Sequence, residues 1–333
     1  MQEKTWIKRG ALLALVLWLI AVLAAPAAGE AFRFAVMGDS RGNAKSKEKA
    51  PINETELSYL IQEIIDLNPK PLFAVFGGDL ALRADVDDWK SWKLIMQPLA
   101  KAGIGLYLVK GNHELYDAHV KCRLDNQTAY QAFVAANYAY IPSNGPPGYD
   151  RLAYWFEHDN SLFIVLDSFY MYPDSIVDAD LYGGVTWQQL AWLDGLLATT
   201  TKAHRFVFSH MPAYPRDATK KYDRSLYDLW KVLVTRGITY FFGAHEHLYD
   251  NWYITDQVDK DWTRGIRQFI SGCAGAPFTI EVLADPRATP EHPRHTVLKK
   301  DNFVLVDVDW DNVTWITYGG TAKAGYKVID QPK

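Results

Sequence analysis

Short apolar runs alternate with amphipathic segments along the first third of the chain, and this alternation constrains the fold more than any other feature. Apolar runs over Phe32–Met37, Leu72–Phe76 and Ile104–Val109 have the length of buried strands. Between them, Glu54–Leu67 and Val86–Ala100 carry apolar residues at helical spacing. The order strand, helix, strand, helix, strand predicts parallel strands joined by right-handed crossovers.

The rest of the chain continues this pattern less regularly. The strand-like segments are Leu162–Leu166, Phe206–Phe208, Thr239–Phe242, Ile266–Ile270, Phe303–Val308 and Val313–Thr317, and the helix-like segments are Trp187–Leu197 and Leu226–Val234. Segments 141–150 and 281–302 are rich in turn-forming or polar residues, which predicts two loops. Because no internal repeat or clean linker interrupts the chain, we expect residues 32–333 to form a single domain.

The first thirty-one residues have the composition of a secretory signal peptide. Lys4, Lys8 and Arg9 precede an apolar run of 15 residues, Ala11–Ala25, and small residues follow it. An uncleaved membrane anchor is the alternative, although the run is shorter than the roughly 20 residues of a typical span. We therefore expect residues 1–31 to be removed and the protein to be extracytoplasmic, either periplasmic or secreted.

The composition of the chain limits the classes of protein to which it can belong. Hydrophobic residues make up 49% of the chain and charged residues 22%, which is typical of a folded globular protein. The formal net charge of -4 disfavours a nucleic-acid-binding protein. The two cysteines, Cys122 and Cys273, could form a disulfide in an oxidising compartment or could be buried thiols. The sequence supports these two states about equally, and the disulfide is the form we predict.

Polar residues with metal-binding side chains follow the apolar runs at the points where strands are predicted to end. These residues are Asp39, Asp79, Asn112, His113, His210, His245 and His247. In open α/β sheets, ligands bind beyond the carboxyl ends of the strands. Carboxylate and amide oxygens mixed with imidazoles suit Mn, Fe or Zn, which predicts a catalytic metal centre at this edge.

This ordered set resembles the calcineurin-like metallophosphoesterase superfamily, which includes the purple acid phosphatases. The most specific single motif is Gly111-Asn112-His113-Glu114. The resemblance implies a double β-sheet sandwich flanked by helices, an α/β fold of four layers, with two metal ions. It implies that Asp79 bridges the ions. It also implies one site completed by Asn112, His210 and His245, another completed by Asp39 and His247, and catalytic roles for His113 and Glu114.

The sequence departs from the family pattern in three places. The family's Asp-x-His reads Asp39-Ser40-Arg41, and Leu82 stands where purple acid phosphatases have a ligating tyrosine. The third change, Ala244 before His245, is mild. The first two changes leave one metal with only Asp39, Asp79 and His247, which predicts a weaker, more exchangeable site.

Arg41 itself allows two interpretations. Its guanidinium could hold phosphate oxygens of a substrate in bidentate fashion. Alternatively, it could form a salt bridge to a carboxylate that binds metal, and we favour this interpretation slightly because such a carboxylate is a ready partner.

These features predict metal-dependent hydrolysis of phosphoester bonds, in which two divalent or iron-type ions activate water and a phosphorylated small molecule is the substrate. The alternative is a catalytically weak relative that binds a phosphorylated ligand or a partner in the cell envelope, as the missing ligands would suggest. Neither hypothesis includes a nucleic-acid partner, and a membrane enters only through an uncleaved N-terminal segment.

Overall fold

The structure is a computed structural model that describes residues 30–43, 50–117, 121–171, 183–214, 224–278 and 296–332. The predicted signal peptide, residues 1–31, lies outside these ranges except for its last two residues. The described residues from Ala31 onward belong to one compact unit. None of the helices among these residues has the length and apolar character needed to cross a membrane.

The described residues form thirteen strands and five helices. The strands are β1 (Phe32–Met37), β2 (Phe73–Phe76), β3 (Gly105–Leu108), β4 (Tyr154–His158), β5 (Ser161–Val165), β6 (His204–Phe208), β7 (Tyr240–Gly243), β8 (Tyr249–Ile254), β9 (Ile266–Ser271), β10 (Thr296–Leu298), β11 (Asp301–Asp309), β12 (Asn312–Thr321) and β13 (Gly325–Asp330). The helices are α1 (Glu54–Asp66), α2 (Val86–Lys101), α3 (Leu124–Asn137), α4 (Trp187–Thr199) and α5 (Arg224–Thr235).

The strands form two mixed sheets. The first has the order β13-β12-β11-β1-β2-β3, and the second has the order β10-β8-β9-β7-β6-β5-β4. In the first sheet β1, β2 and β3 run parallel, as the sequence predicts, and β11 pairs with β1 in the antiparallel direction. In the second sheet β5, β6, β7 and β9 run parallel. Parallel strands place their carboxyl ends on one edge of each sheet.

Aromatic side chains fill the space between the two sheets. The ring of Phe34, on β1, lies 5.3 Å from Phe163, 5.0 Å from Phe206 and 6.2 Å from Phe242, all on the facing sheet. These edge-to-face contacts add to the burial of large apolar surfaces. The Phe34 side chain is fully buried, so the sheets pack directly against each other.

Helices cover the outer face of each sheet. Helix α1 begins at Asn53, whose side chain accepts a hydrogen bond from the N–H of Glu56, and it buries Leu57, Leu60 and Ile61 beside the first sheet. On the second sheet, α4 and α5 bury Leu193 and Trp230 in one apolar cluster with side chains of β5, β6 and β7. The resulting order of helices, sheet, sheet and helices confirms the predicted four-layer α/β sandwich.

Some elements differ from the sequence prediction. Helix α3 and the strands β4, β8, β10 and β13 were not predicted. The predicted loop over 281–302 is wrong at its end, because β10 and the start of β11 lie there. The rest of that segment, 281–295, lies outside the described residues.

The predicted disulfide between Cys122 and Cys273 is wrong, because both cysteines are free and buried in separate surroundings. Cys122 packs in an apolar cluster with Leu115 and Met211. Cys273 instead donates a hydrogen bond to the carbonyl of Ala276 at 3.1 Å. Burial raises the pKa of the Cys122 thiol to about 11 and also raises that of Cys273, which makes both thiols unreactive.

Candidate metal centre

The carboxyl ends of the parallel strands from both sheets meet at one edge of the sandwich. Close approach of the backbones depends on glycine, since a Cβ atom built on Gly77 would lie only 2.8 Å from the Cβ of Ala244. Asp39, Asp79 and His245 all have backbones in the left-handed region, with φ of 59°, 57° and 67°. Such conformations are uncommon outside glycine and concentrate at functional sites. Each of these three residues contributes a candidate ligand atom at this edge.

One group of four side chains converges from the ends of four strands, β2, β3, β6 and β7. Nε2 of His210 lies 3.3 Å from Oδ1 of Asp79, 3.0 Å from Oδ1 of Asn112 and 3.2 Å from Nδ1 of His245. Nδ1 of His245 also lies 3.1 Å from Oδ1 of Asn112. Ligands about 2.1 Å from a tetrahedral metal ion are about 3.4 Å apart, and these four spacings are close to that value. We call these residues the four-ligand group.

Hydrogen bonds outside the four-ligand group orient its lone pairs inward. Nδ1 of His210 lies 2.7 Å from the carbonyl of Gly77, so it carries the proton and leaves Nε2 free to bind metal. The amide nitrogen of Asn112 donates to the hydroxyl of Tyr116 at 2.8 Å, which turns the amide oxygen toward the histidines. Bonds of this kind fix the tautomer and orientation of metal ligands.

A second group consists of Asp39, Asp79 and His247, whose candidate ligand atoms lie within 4.8 Å of one another. Nε2 of His247 lies 3.4 Å from Oδ1 of Asp39, and its Nδ1 donates to the carbonyl of Pro277 at 2.7 Å. We call these residues the three-ligand group. Asp79 belongs to both groups, because its Oδ1 faces His210 while its Oδ2 faces the side of Arg41.

Asp39 shows why this edge needs a cation. Its side chain is fully buried, and among the described residues Oδ1 accepts no hydrogen bond. Burial raises the pKa of Asp39 well above its usual range, and the nearby Asp79 adds to this rise. Oδ2 accepts a hydrogen bond from the N–H of His245 at 3.0 Å, so the carboxylate is only half satisfied, and a cation beside Oδ1 would stabilise its charged form. The donor set of carboxylates, an amide and imidazoles is of the kind that binds divalent metal ions.

Arg41 borders the three-ligand group. Its Nε lies 3.8 Å from Oδ2 of Asp79, and the side chain is 20% exposed. Within the described part of the chain, this Nε has no hydrogen-bond partner. The guanidinium thus pairs electrostatically with a candidate bridging carboxylate and keeps donors available for an anion.

His113 lies at the mouth of the same edge. Its Nδ1 donates to the carbonyl of Leu82 at 2.6 Å, and its Nε2 lies 3.8 Å from Oδ2 of Asp79. Burial lowers the pKa of His113 to about 4, although Asp79 opposes this effect. The neutral ring presents an unprotonated Nε2, so it must take up a proton before it can act as an acid. Leu82, which cannot ligate through its side chain, supports this ring through its backbone.

Glu114 is fully buried beneath the site and faces the backbone. Its two oxygens accept hydrogen bonds from the N–H groups of Gly111 at 2.7 Å, Leu80 at 2.8 Å and Asp79 at 2.9 Å. Burial and the charge of Asp79 raise its pKa to about 8, while the three N–H donors oppose the rise. These contacts tie the loop after β2 to the loop after β3. The predicted catalytic role of Glu114 stays a prediction.

Two neighbours of the site were not predicted from the sequence. Tyr116 lies four residues after Asn112 and stacks obliquely on His113, with ring centres 4.7 Å apart. Phe169 follows β5, and its ring lies 5.6 Å from that of His210 and 5.7 Å from that of His245. Tyr116 could have been identified from the sequence, because it comes just after the Gly-Asn-His-Glu motif. No feature of the sequence marks Phe169 as a neighbour of the site.

The chain is similar to known proteins in sequence and in fold. A model of the family described as calcineurin-like phosphoesterase matches residues 32–249. The chain is also similar to a protein named probable glycerophosphodiester phosphodiesterase GpdQ from Arcobacter nitrofigilis, with 24% identity over 175 residues. That alignment covers 50% of this chain and 53% of the relative, so the chain spans about half the length of this curated relative.

Solved structures share the fold. The purple acid phosphatase PPD1 of yellow lupin (Lupinus luteus) has a TM-score of 0.64 at 14% identity, over 92% of this chain and 54% of that one. GAP50, described as the anchor in the inner membrane complex of Plasmodium, has a TM-score of 0.59 at 13% identity, over 91% of this chain and 88% of that one. At such identities these likenesses concern the fold alone. Because the family match covers well over half of the sequence, the chain belongs to the calcineurin-like phosphoesterase family.

Proposed function

We propose that the chain hydrolyses phosphoester bonds with a dinuclear metal centre. The observation that carries this proposal is the convergence of the four-ligand group and the three-ligand group on a shared carboxylate, Asp79. Two dications, of Mn, Fe or Zn, would supply Lewis acidity toward phosphoryl oxygens and lower the pKa of water. No nucleophilic side chain is needed for such a reaction.

The residues around the metals would bind the substrate, transfer a proton and limit the entry of water. Arg41 would donate hydrogen bonds to the phosphate oxygens, because its Nε is near Asp79 and has no hydrogen-bond partner in the described part of the chain. His113 would take up a proton from solvent water at Nε2 and donate it to the leaving oxygen, while the carbonyl of Leu82 holds the ring in place. Tyr116 and Phe169 would restrict the entry of water around the imidazoles.

A cavity of about 560 Å³ beside the three-ligand group offers room for the alcohol part of the ester. It is lined by Gly42, which follows Arg41, and by Pro277, whose carbonyl holds His247. Glu54 and Asp301 also line it and give it acidic character. We propose that the substrates are esters of neutral or amine-bearing alcohols, including diesters, because an anionic alcohol would be repelled.

Hydrolysis of p-nitrophenyl phosphate and bis(p-nitrophenyl) phosphate tests the activity. We expect turnover with Mn²⁺ or Zn²⁺ and none in the presence of a chelator. His210→Ala should abolish turnover and metal retention together. His204→Ala is the matched control, since His204 begins the same strand, β6, at the opposite end and binds the carbonyl of Trp310. Full turnover in chelator would contradict the proposal.

Arg41 also motivates a second candidate, a catalytically weak relative that binds a phosphorylated ligand or an envelope partner. A cation near the three-ligand group opposes the binding of a dication there unless an anion offsets it. Inorganic phosphate that binds tightly to metal-loaded protein, without turnover of either aryl ester, would favour this candidate.

Export from the cytoplasm remains a proposal as well. It is supported by the charged start, the apolar run and the small residues within residues 1–31. Expression of the full chain in a bacterium, followed by fractionation and N-terminal sequencing, tests it. A mature protein that starts after Ala27, Ala28 or Ala31 would support it, and an intact cytoplasmic chain would contradict it.

A further inference from the structure

A buried lysine stands directly before the Gly-Asn-His-Glu motif. Lys110 is 1% exposed. Its ammonium lies 3.0 Å from Oδ2 of Asp167, and it donates to Oε1 of Gln127 at 2.7 Å and to the carbonyl of Phe169 at 3.0 Å. Two of the three ammonium donors are thus bonded to Gln127 and Phe169, and the contact with Asp167 is an ion pair. The lysine therefore links the loop after β3 to the loop after β5.

Hydrogen bonds also fix the side chain and the backbone of Asp167, the partner of Lys110. The carboxylate is fully buried, and Oδ1 accepts a hydrogen bond from the N–H of Phe169 at 2.9 Å. The backbone of Asp167 is fixed on both sides by Gln189 of α4, whose side chain accepts from its N–H at 2.9 Å and donates to its carbonyl at 2.7 Å. These hydrogen bonds fix the position of the Asp167 carboxylate next to the backbone of Phe169.

The ion pair thus holds both polar backbone groups of Phe169. Asp167 accepts from its N–H and Lys110 donates to its carbonyl. The ring that this residue carries is 5% exposed and touches the imidazoles of His210 and His245, two members of the four-ligand group. Any movement of the Phe169 backbone would therefore shift the phenyl ring that packs against both imidazoles.

A buried ion pair is a poor source of stability, because desolvation of two charges offsets their attraction and an apolar pair of similar volume is often as stable. Directed hydrogen bonds are what an apolar pair cannot replace. The pair is also neutral overall, so it adds no net charge near a centre that would hold two dications. These features favour a role in positioning over a role in stability.

We propose that the ion pair of Lys110 and Asp167 positions Phe169 against His210 and His245 and thereby sets the metal affinity of the four-ligand group. The proposal rests on the proposed function, since it requires that this group binds a metal. Lys110, Asp167 and Phe169 are positioning residues, because none of them supplies a ligand atom to the four-ligand group or the three-ligand group.

The test is a titration of the metal-free full chain with Co²⁺, whose absorption spectrum reports ligand number and geometry. Asn112→Ala and His247→Ala assign the spectral changes to the four-ligand and the three-ligand group. In Lys110→Met, affinity at the four-ligand group should fall 10–100-fold, the loss typical for residues that orient metal ligands. Affinity at the three-ligand group should stay unchanged. Leu193→Ala, on the outer face of the second sheet, is a destabilised control whose Co²⁺ affinities should match the wild type.

Two further variants separate positioning from stability. The double variant Lys110→Met/Asp167→Leu replaces the ion pair by apolar side chains, so it should unfold at a temperature close to that of the wild type. It should nevertheless bind Co²⁺ weakly at the four-ligand group. Phe169→Leu keeps the pair and removes the ring, and it should weaken the same group even if the lysine variants do not fold.

Normal Co²⁺ affinity at the four-ligand group in the folded double variant or in Phe169→Leu would overturn the positioning role, as would equal losses at both groups. A wild-type protein that binds no Co²⁺ would instead refute the proposed function. The two failures are therefore distinguishable in the same titration.

Discussion

The substitution Glu114→Gln tests whether this buried carboxylate fastens the two loops that carry Asp79 and Asn112. Glu114 accepts hydrogen bonds from three backbone N–H groups with two oxygens. A glutamine has one oxygen, and its best orientation keeps the N–H groups of Asp79 and Gly111 bonded while its amide nitrogen meets the N–H of Leu80. One buried donor then has no acceptor. At pH 9, above the pKa of about 8 at which Glu114 ionises and the pH at which the two proteins are to be compared, the other two bonds also lose their charge assistance. A hydrogen bond to a charged group contributes about 1.5–3 kcal/mol, so the free energy of unfolding should fall by about 2–4 kcal/mol.

Urea denaturation of the metal-free protein, followed by tryptophan fluorescence, measures this loss without a contribution from bound metal. Glu157→Gln is the matched control, because Glu157 is an exposed side chain that pairs with Lys202 at 2.9 Å. Exposed pairs of this kind contribute about 0–1 kcal/mol. If Glu114→Gln loses no more stability than Glu157→Gln yet loses turnover, the fastening role is refuted and a direct catalytic role for Glu114 gains support.

Three further experiments test the roles of His113 and Arg41 and the state of the two cysteines. His113→Ala should retain metal but lower turnover of an alkyl phosphate by about 10²–10⁴-fold, with a smaller loss for p-nitrophenyl phosphate, whose leaving group needs less protonation. Equal losses for both esters would exclude an acid role. Arg41→His should tighten Co²⁺ binding at the three-ligand group, because it removes a cation and adds an imidazole; an unchanged titration would contradict the ligand count. Thiol titration of the denatured, unreduced protein should find Cys122 and Cys273 both reactive, and a loss of both signals would show a disulfide.

The positions of the candidate metal ligands could be predicted because short apolar strands end in Gly-Asp or Gly-Asn. Asp39, Asp79 and Asn112 follow β1, β2 and β3, and the parallel direction of these strands brings the three residues to one edge. The same reasoning places His210 and His245 at the matching edge of the second sheet. The family resemblance supplied the grouping of the ligands, which periodicity alone could not give.

One helix, one buried ion pair and the state of the cysteines could not be predicted from the sequence. Helix α3 was missed because its buried face includes Gln127 among aromatic and small residues, so no continuous apolar stripe marks it. The pair of Lys110 and Asp167 joins residues far apart in the chain, and only the charge of Lys110 between Val109 and Gly111 hinted at a special role. The disulfide prediction was wrong because the presence of two cysteines does not bring them together in the fold, and Cys122 and Cys273 are buried in separate surroundings.

The most direct test of the dinuclear centre is anomalous X-ray diffraction from crystals grown with Mn²⁺ and inorganic phosphate. We expect two manganese peaks, one among Asp79, Asn112, His210 and His245 and the other among Asp39, Asp79 and His247, with phosphate near Arg41. We expect the first peak to have the higher occupancy, since it has more ligands from the protein. Manganese peaks at other residues, or a single peak that leaves Asp79 without a bridging role, would contradict the proposed centre.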